Sequence, residues 1–220
     1  MTRAPTSAPP AIAIVGGTGP QGRGLSLRWA IAGLAVSIGS RDAGRAETVA
    51  NELGHGVRGA SNADCVANAD VVVITVPWEG HDETLRDLEP RLRGKLVIDS
   101  VNPLGFDKQG PYALNVEAGS AAQRAAELLP DSTVTAAFHH VSALSLADVT
   151  TQDLDLDVLV LGDSRDAIET VISLVGLLPG MRGVYGGRLR NAHQVEALTA
   201  NLIAINRRYK THAGIRVTSL

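Results

Sequence analysis

Three glycines with the spacing G-x-G-x-x-G lie near the start of the chain: Gly17, Gly19 and Gly22, within "IVGGTGPQGRG". In such a motif the first glycine permits a tight turn, and the second lets the backbone approach a pyrophosphate. The third allows a helix to pack closely on a strand. An apolar run precedes the motif and a helical pattern follows it, so a helix N-terminus can stabilise the anion. No Gly-Lys-Ser/Thr follows, which argues against a P-loop, and the spacing predicts a dinucleotide site.

The stretch "VSIGSRDAGR" indicates which dinucleotide is bound. About twenty residues after the glycine turn, an NAD site offers an acid to the ribose 2′-hydroxyl, whereas an NADP site places Arg near the 2′-phosphate. Here Ser40 and Arg41 occupy that position, and Arg45 follows one helical turn later, so both guanidinium groups can face one phosphate. Asp42 is expected to cap the next helix. The pattern favours NADP over NAD; the alternative is a capped helix start with ordinary surface arginines.

Two loops that follow predicted strands could line the nicotinamide end of such a site. Val76 and Pro77 end the apolar run "DVVVITV", and Asn102 and Pro103 follow "KLVIDS". Ligands of open α/β sheets bind outside the carboxyl ends of the strands. These four residues are therefore predicted to line the nicotinamide.

The histidines are the remaining residues that could do chemistry. His139 and His140, in "AAFHHVSA", follow another predicted strand, and each is either a pocket residue or a buried structural histidine. Trp78 is interpreted as loop packing and His81 as a surface helix residue. The sequence shows no Cys/His metal spacing, no G-x-S-x-G and no Tyr-x-x-x-Lys pair, so no metal site is predicted. The lack of an acid/base constellation favours hydride transfer between two cofactors.

The elements that must position these residues alternate between strand and helix. Apolar runs suited to buried strands are "AIAIV", "AVSIG", "DVVVITV", "KLVIDS", "TVTAAF" and "DVLVLG". Helical patterns of about a dozen residues separate most of them, which predicts βαβ units. One helix, starting near residue 79, is expected to stop before Pro90. Residues 101–119 are predicted to form a loop. The fold class is α/β, a Rossmann-type doubly wound parallel sheet with a smaller C-terminal α/β portion.

The predicted domain organisation has a boundary near residue 140. Residues 1–10 form a Pro-rich disordered tail, 11–140 an NADP-binding domain, and 141–220 a smaller C-terminal domain that completes the cleft. The last helix carries Val195, Leu198, Leu202 and Ile205 in one apolar stripe. Its partner is either a second copy, in a homodimer, or the rest of the chain.

Composition excludes several classes of protein. The 220 residues are 45% hydrophobic and 20% charged, with a net charge of -3, as in an ordinary globular protein and not in a nucleic-acid binder. No apolar run is long enough to span a bilayer. Cys65 is the only cysteine, which excludes an internal disulfide and favours the cytoplasm. No cation in the nearby sequence would activate its thiol.

Six blocks of the sequence, in order, give a more specific indication. They are "GGTGPQGRGL", "IGSRDAGRAE", "VPWEGH", "VNPLGFDKQGPY", "AAFHHVSA" and "NRRYKTHAGIRV". From residue 12 to the C-terminus the chain resembles the F420-dependent NADP reductase family, bacterial branch. The resemblance implies reversible hydride transfer between NADPH and the 5-deazaflavin coenzyme F420. NADP and F420 would be the cofactors, and neither nucleic acid nor a membrane would be a partner.

The resemblance also implies roles for particular residues. Thr18, Ser40, Arg41 and Arg45 would hold the 2′-phosphate, and Gly19, Pro20 and Gln21 would lie along the pyrophosphate. Residues around His139 and the C-terminal helix would wall the deazaflavin. The anionic tail of F420 would meet Arg207, Arg208 and Lys210, which are otherwise a solvated helix end.

The implied chemistry is a direct one. Hydride would pass between two stacked rings in a dry cleft, with no side chain indispensable. Two alternatives remain open. An NADP-dependent reductase of a small carbonyl or imine would need a proton donor, for which only His139 and His140 are evident. A non-enzymatic NADP-sensing regulator could share the fold.

Overall fold

The computed structural model describes residues 9–151 and 153–220, so most of the predicted disordered tail, residues 1–8, lies outside the described residues. The strands of the described part are β1 (Ile12–Val15), β2 (Val36–Ser40), β3 (Arg58–Ser61), β4 (Val71–Ile74), β5 (Leu96–Asp99), β6 (Leu104–Asp107), β7 (Gly110–Ala113), β8 (Thr133–Ala136), β9 (Leu156–Gly162) and β10 (Met181–Gly187). The helices are α1 (Pro20–Ile31), α2 (Ala43–Leu53), α3 (Asn62–Ala67), α4 (His81–Leu92), α5 (Ala121–Leu128), α6 (Ala143–Ala147), α7 (Arg165–Gly176) and α8 (Ala192–Tyr209).

One eight-stranded sheet organises the molecule, in the order β10-β9-β8-β5-β4-β1-β2-β3. Six neighbouring strands of this sheet run parallel, which confirms the predicted Rossmann-type α/β fold. In spatial order they are β8, β5, β4, β1, β2 and β3. The chain crosses from β3 back past β1 to β4, so the order of strands reverses between β1 and β4. A crevice forms at such a switch point, outside the carboxyl ends of the strands.

The last two strands of the sheet run the other way. β9 pairs with β8 antiparallel, and β10 pairs with β9 parallel. The connection from β8 to β9 contains only the short helix α6, and it stays at the carboxyl end of β8 instead of crossing the sheet. A parallel pair needs a crossover connection, usually a full helix, so β9 returns antiparallel. The sheet is therefore mostly parallel, with β9 and β10 reversed relative to the other six strands.

Hydrophobic side chains cover both faces of the sheet, and successive residues of β1 alternate between two clusters. Ile12 and Ile14 pack on one face with helices α1, α2 and α7, while Ala13 and Val15 pack on the other with α3, α4, α5 and α8. Trp29 is fully buried, and its indole N–H donates to the Leu174 carbonyl at 3.0 Å. Both faces are thus closed, as a central parallel sheet requires.

Helix ends follow the sequence closely in several places. The Asp42 carboxylate accepts the N–H of Arg45 at 3.1 Å, so Asp42 caps α2 as predicted. Gly54, with φ of +67°, ends the same helix. Helix α4, in contrast, runs through Pro90 to Leu92, and the predicted stop before Pro90 is wrong. Leu92 is fully buried, so core packing stabilises the last turn that contains the proline.

Residues 101–119 are not wholly a loop as predicted, because β6 and β7 form an antiparallel hairpin there. The Asp107 carboxylate accepts the N–H groups of Gln109 and Gly110 at 2.7 and 3.1 Å and closes the turn. β3, α6 and β10 were also not predicted. β3, with the sequence "RGAS", has no apolar run to reveal it.

The last third of the chain adds strands to the common sheet. The predicted boundary near residue 140 falls between β8 and α6, and β9 and β10 extend the sheet beyond it. Helix α8 returns to pack against α5 and β7. Over residues 9–151 and 153–220, no helix is both long and apolar enough to cross a membrane.

Candidate functional site

The glycine turn is built by close backbone packing at the end of β1. Gly16 has φ of +74°, so the left-handed residue of the turn is the one before the motif. A Cβ on Gly17 would lie 2.7 Å from the Cβ of Ile38, and one on Gly22 would lie 2.6 Å from the Gly17 Cα. These two glycines let α1 and β2 approach the turn directly. Gly16 was not singled out from the sequence, although it precedes Gly17 as a glycine pair.

Helix α1 presents an uncapped N-terminus to the crevice. Gly19 is the N-cap residue, Pro20 is the first helical residue, and no side chain caps the helix. The first N–H groups of a helix then need another acceptor, which an anion can provide. A Cβ on Gly19 would meet no atom nearer than the Gly16 carbonyl at 3.4 Å, so the outer side of the turn is open.

A pair of cations lies at the carboxyl end of β2. Ser40 is the last residue of β2, and Arg41 and Arg45 are exposed. Neither arginine makes an ion pair with another described residue. The Ser40 hydroxyl accepts the Asp42 N–H at 3.2 Å, while the Asp42 carboxylate is occupied by the helix cap. This group, Ser40, Arg41 and Arg45, is called the basic corner; its two positive charges suit a phosphate better than a ribose hydroxyl.

The loops that follow β4 and β5 line a cavity of about 270 Å³, called the strand-end cavity. Its walls are Gln21, Thr75, Val76, Pro77, Trp78, Ser100, Val101, Asn102 and His139. The structure thus brings Val76, Pro77 and Asn102 together, as the sequence placed them. Pro103 is buried and is not part of this wall.

A second cavity, also of about 270 Å³, lies between the loop after β8 and helix α8 and is called the helix cavity. Its walls are Gln21, Asn102, His139, His140, Val141, Ser142, Ala143, Thr199, Leu202, Ile203, Asn206 and Ala213. The two cavities adjoin, because Gln21, Asn102 and His139 belong to both. These three residues are called the shared wall.

Hydrogen bonds from three separate elements hold the shared wall in place. The Gln21 side-chain amide donates to the Phe138 carbonyl at 3.0 Å. The Asn102 amide and the Thr199 hydroxyl donate to the His139 carbonyl at 2.9 and 3.0 Å. Phe138 adopts φ of +67°, a strained value for a bulky residue, and such strain persists only where the surroundings fix it. The wall is therefore organised before any ligand binds.

Both histidines of "FHH" turn their rings inward. Burial lowers the pKa of His139 and of His140 to about 4, so both rings are neutral near pH 7. The His140 Nε2 accepts the Leu159 N–H at 3.3 Å. Neither ring nitrogen of His139 has a hydrogen-bond partner among the described residues. His139 thus offers its carbonyl to the shared wall and its ring to the interior.

His81 is not a surface residue, and that interpretation is wrong. Its side chain is 0% exposed, and its Nε2 lies 2.7 Å from the buried Asp99 carboxylate. Burial opposes protonation of the ring, but the carboxylates of Asp99 and Asp82 outweigh it and raise the pKa of His81. The Trp78 ring lies 5.4 Å from the His81 ring, centroid to centroid, and Trp78 also lines the strand-end cavity.

Comparison with known proteins identifies the family. The family model described as NADP oxidoreductase, coenzyme F420-dependent, matches residues 11–103. The F420-dependent NADP reductase of Methanothermobacter thermautotrophicus is 41% identical, over 95% of this chain and 95% of that protein. The chain belongs to the F420-dependent NADP reductase family. The protein of that name from Methanocaldococcus jannaschii is 34% identical, over 95% of this chain and 98% of its own length.

A solved structure supports the fold of this family member. A candidate F420-dependent NADP reductase from Arthrobacter sp. FB24 superimposes with a TM-score of 0.81 and 24% identity. The match covers 95% of this chain and 99% of that one. At this identity the likeness shows the α/β fold, and the sequence relatives carry the family assignment.

Glu196 and Asp99 are buried carboxylates close to His139 and His81 that sequence reasoning missed. Glu196 is 3% exposed, and its carboxylate accepts the N–H groups of Ala121 and Ala122 at 2.9 and 3.2 Å. Its Oε1 lies 3.9 Å from the His139 Nε2. Burial raises the pKa of Glu196 to about 7.

A signal for both residues exists in the sequence. Glu196 follows Ala192 by four residues and precedes Thr199 by three, so it lies on the inward face of α8. Asp99 ends the apolar run of β5. A charged residue within an apolar pattern marks a buried polar site, because burial of an unpaired charge is costly.

Cys65 has the character of a structural thiol. Burial raises its pKa to about 12, and its S–H donates to the Ser37 carbonyl at 3.3 Å. A thiolate is the reactive form, so Cys65 is unreactive near neutral pH. Within residues 9–151 and 153–220, no cluster of His, Cys, Asp and Glu could hold a metal ion.

Proposed function

We propose that this chain transfers a hydride reversibly between NADPH and F420, one substrate ring in each of the two adjoining cavities. The family supplies the activity: oxidoreductase chemistry with NADP and coenzyme F420. The observation that carries the placement is the shared wall. Two cavities of equal volume that meet at Gln21, Asn102 and His139 can hold two rings against each other.

NADP is proposed to lie along the carboxyl edge of the parallel strands. The uncapped N-terminus of α1, with Gly19, Pro20 and Gln21, would bind the pyrophosphate. The basic corner, with Thr18 nearby, would bind the 2′-phosphate through charge-assisted hydrogen bonds. The nicotinamide would enter the strand-end cavity beside Val76, Pro77 and Asn102. β2 ends at one side of this edge and β5 at the other, with β1 and β4 between them.

The deazaflavin is proposed to occupy the helix cavity. Its walls include the aliphatic side chains of Val141, Leu202 and Ile203, which can exclude water from a flat ring. NADPH and F420 supply the hydride chemistry themselves, and the protein aligns the two rings with reacting carbons about 3–3.5 Å apart. The fixed wall provides that alignment, so the two histidines need not contact the reacting atoms.

Three further predictions concern the domains, the oligomeric state and the location of the protein. Residues 11–140 are proposed to bind NADP, and 141–220 to complete the deazaflavin side through α8. A homodimer is proposed because Phe106, Tyr112, Ile205 and Tyr209 are exposed on the β6–β7 hairpin and on α8, which pack together. Light scattering at several concentrations tests this state. A cytoplasmic location remains a prediction from the single cysteine.

The deciding experiment is to mix the protein with NADPH and F420 and follow absorbance near 420 nm. Rapid bleaching, reversed by NADP added to reduced F420, is the expected result. NADH in place of NADPH is the matched control and should react far more slowly. Turnover of a small carbonyl or imine without F420 would favour a different reductase. NADPH binding with no turnover of any acceptor would favour a sensor.

A further inference from the structure

A buried carboxylate with no part in hydride transfer lies at the start of β9. The Asp157 side chain is 0% exposed, and its partner is Arg182, the residue opposite it on the edge strand β10. The guanidinium donates two parallel hydrogen bonds, from Nε to Oδ1 and from Nη2 to Oδ2, each of 2.8 Å. Such a bidentate pair fixes the carboxylate in one orientation, and a buried charge needs that pairing. Asp157 and Arg182 together are called the clamp.

The clamp holds a segment that follows α8. Residues 213–217 of this segment are called the strap, and they belong to no helix or strand. The Val217 N–H donates to the Asp157 Oδ2 at 2.6 Å, and the Asp157 N–H donates to the Ile215 carbonyl at 2.8 Å. The Arg182 Nη2 also donates to the Val217 carbonyl at 3.0 Å. Three hydrogen bonds therefore tie the strap to the clamp.

The other end of the strap belongs to the wall of the helix cavity. Ala213 lines that cavity, and its N–H donates to the Asn206 side-chain oxygen at 2.7 Å. Between the two tied ends, Gly214 passes β9 so closely that a Cβ there would lie 3.1 Å from the Leu156 Cβ. The strap therefore has little room to shift toward the sheet, because close-packed atoms leave no space for it. The clamp thus helps to fix the position of Ala213 in the cavity wall.

The clamp lies on the side of the sheet where the cavities open. Leu161 of β9 pairs with Ala136 at the carboxyl end of β8, so the earlier part of β9, with Asp157, extends beyond that end. In this part the Leu159 N–H donates to the Nε2 of His140, a residue of the helix-cavity wall. None of the strap residues, all of which the structure describes, lines the strand-end cavity. The strap is therefore a wall of the helix cavity alone.

We propose that Asp157, paired with Arg182, is a positioning residue for F420, because it holds the strap in the wall of the helix cavity. This inference rests on the proposed function, in which the deazaflavin occupies that cavity. Asp157 and Arg182 are outside both cavity walls, so they act through the strap and do not touch F420. A wall that is already ordered binds a flat ring without a further ordering cost. If the clamp is broken, the strap occupies its place for only a fraction of the time, and the apparent Kd for F420 rises by the inverse of that fraction.

The first test is Val217→Pro, which removes the N–H that the Asp157 carboxylate accepts. The Kd for F420, measured by equilibrium dialysis, should rise about tenfold or more, because the lost hydrogen bond is to a charged group. The Kd for NADPH should stay unchanged. Thr218→Pro is the matched control and should bind both as wild type does, because the Thr218 N–H donates no hydrogen bond to another described residue. An unchanged Kd for F420 in Val217→Pro, or an equal rise for NADPH, would overturn the proposal.

A second variant, Gly214→Ala, displaces the strap while every hydrogen-bonding group of the clamp stays present. The added methyl group must push the strap away from Leu156, and the strap is the less buried of the two. The Kd for F420 should rise about threefold or more, as overpacking of a close contact predicts, with NADPH affinity unchanged. Steady-state reduction should show a higher KM for F420 with kcat retained in both variants. An unchanged KM for F420 in Gly214→Ala would also overturn the proposal.

Hydrogen exchange tests the clamp without catalysis. The N–H groups of Ala213 and Asp157 should exchange faster in Val217→Pro than in wild type, while the core strands exchange as before. Added F420 should slow exchange in the strap of the wild-type protein, and added NADPH should not. Equal exchange of the strap in wild type and Val217→Pro would overturn the proposal.

Failure of the proposed function gives a different result from failure of this inference. If the wild-type protein does not reduce F420 with NADPH, the proposed function is wrong, and this role with it. If wild type reduces F420 and Val217→Pro binds F420 as tightly as wild type does, only the positioning role of Asp157 is wrong.

Discussion

The basic corner and a group of four buried ionisable side chains, called the buried acid cluster, lie at the same edge of the sheet and differ in almost every physical respect. The members of the cluster are His81, Asp99, His139 and Glu196. The basic corner comes from one continuous stretch, residues 40–45, and its two arginines are exposed. The buried acid cluster is almost wholly hidden and comes from four segments between residues 81 and 196. The first can bind a ligand without affecting the core, whereas the second is part of the core.

The difference shows how burial decides the consequence of a charge. Exposed charges are screened by solvent and contribute little to stability, so the basic corner is free to serve recognition. Buried charges depend on their partners, so removing one partner strands the other in a medium of low polarity. Substitutions in the corner should therefore change binding, and substitutions in the cluster should change stability and proton uptake.

The largest expected effect is that of Asp99→Asn. It removes the charge that pairs with His81 in a site where both side chains are 0% exposed. Breaking a buried pair on one side costs about 3–5 kcal/mol of unfolding free energy. Urea unfolding at pH 7 measures it, and Asp87→Asn, on the exposed face of α4, should change the value by less than about 0.5 kcal/mol. A loss below about 1 kcal/mol for Asp99→Asn would contradict the claim that substitutions in the buried acid cluster affect stability more than substitutions in the basic corner do.

Sequence patterns predicted the basic corner because all its information is local. Ser40 and Arg41 follow the glycine turn at Gly19 by a characteristic number of residues, and that number can be recognised without knowledge of the fold. The parallel strands β1, β2, β4, β5 and β8 likewise follow from apolar runs separated by helical patterns. The reversal of β9 and the β6–β7 hairpin do not, because they depend on where short connections run.

The buried acid cluster could not be predicted in the same way. His81 carries no local sign of burial, because histidine is found both buried and exposed in proteins. Its partner Asp99 lies 18 residues away, and Glu196 meets His139 only after α8 folds back over the sheet. Pairings of this kind belong to tertiary structure, and the sequence showed only two single acidic residues, Asp99 and Glu196, within apolar patterns.

Acid should destabilise the protein through His139 and His140. Their pKa values are about 4 in the folded chain against an ordinary 6.5, so the folded state holds fewer protons between these pH values. Stability is therefore fully present above pH 6.5 and falls as the pH drops toward 4. The loss is about 3 kcal/mol for each histidine. Glu196 partly offsets it, because its raised pKa stabilises the fold as the pH falls from 7 toward 4.5.

Urea unfolding at pH 7 and pH 5 tests this pH dependence. His140→Gln keeps an acceptor for the Leu159 N–H and should lose less stability between the two pH values than wild type. His193→Gln, at an exposed position of α8, is the control and should behave as wild type. An equal loss in wild type and His140→Gln would mean that His140 is not the group that takes up the proton.

In the basic corner, Arg41→Ala should weaken NADPH binding by about 10- to 150-fold. The variant loses a charge-assisted contact with the 2′-phosphate, which contributes about 1.5–3 kcal/mol. NADH affinity and the unfolding free energy should stay unchanged, because Arg41 is exposed and makes no ion pair with another described residue. Titration calorimetry with both nucleotides measures the ratio. An equal loss of affinity for NADPH and NADH would show that Arg41 contacts the pyrophosphate or stabilises the fold, and does not recognise the 2′-phosphate.

The smallest expected effect concerns the exposed cations at the end of α8, Arg207, Arg208 and Lys210. If they attract the anionic tail of F420, Lys210→Gln should raise the Kd for F420 by about two- to fivefold, since an exposed ion pair contributes about 0.2–1 kcal/mol. The difference from wild type should shrink as ionic strength rises from about 0.01 M to about 0.15 M, because the Debye length shortens from about 30 to about 8 Å. Arg165→Gln, on the exposed face of α7, is the matched control and should leave F420 binding unchanged. A loss that is insensitive to salt, or an equal loss of NADPH affinity, would show that Lys210 acts through the conformation of the helix end and not through charge.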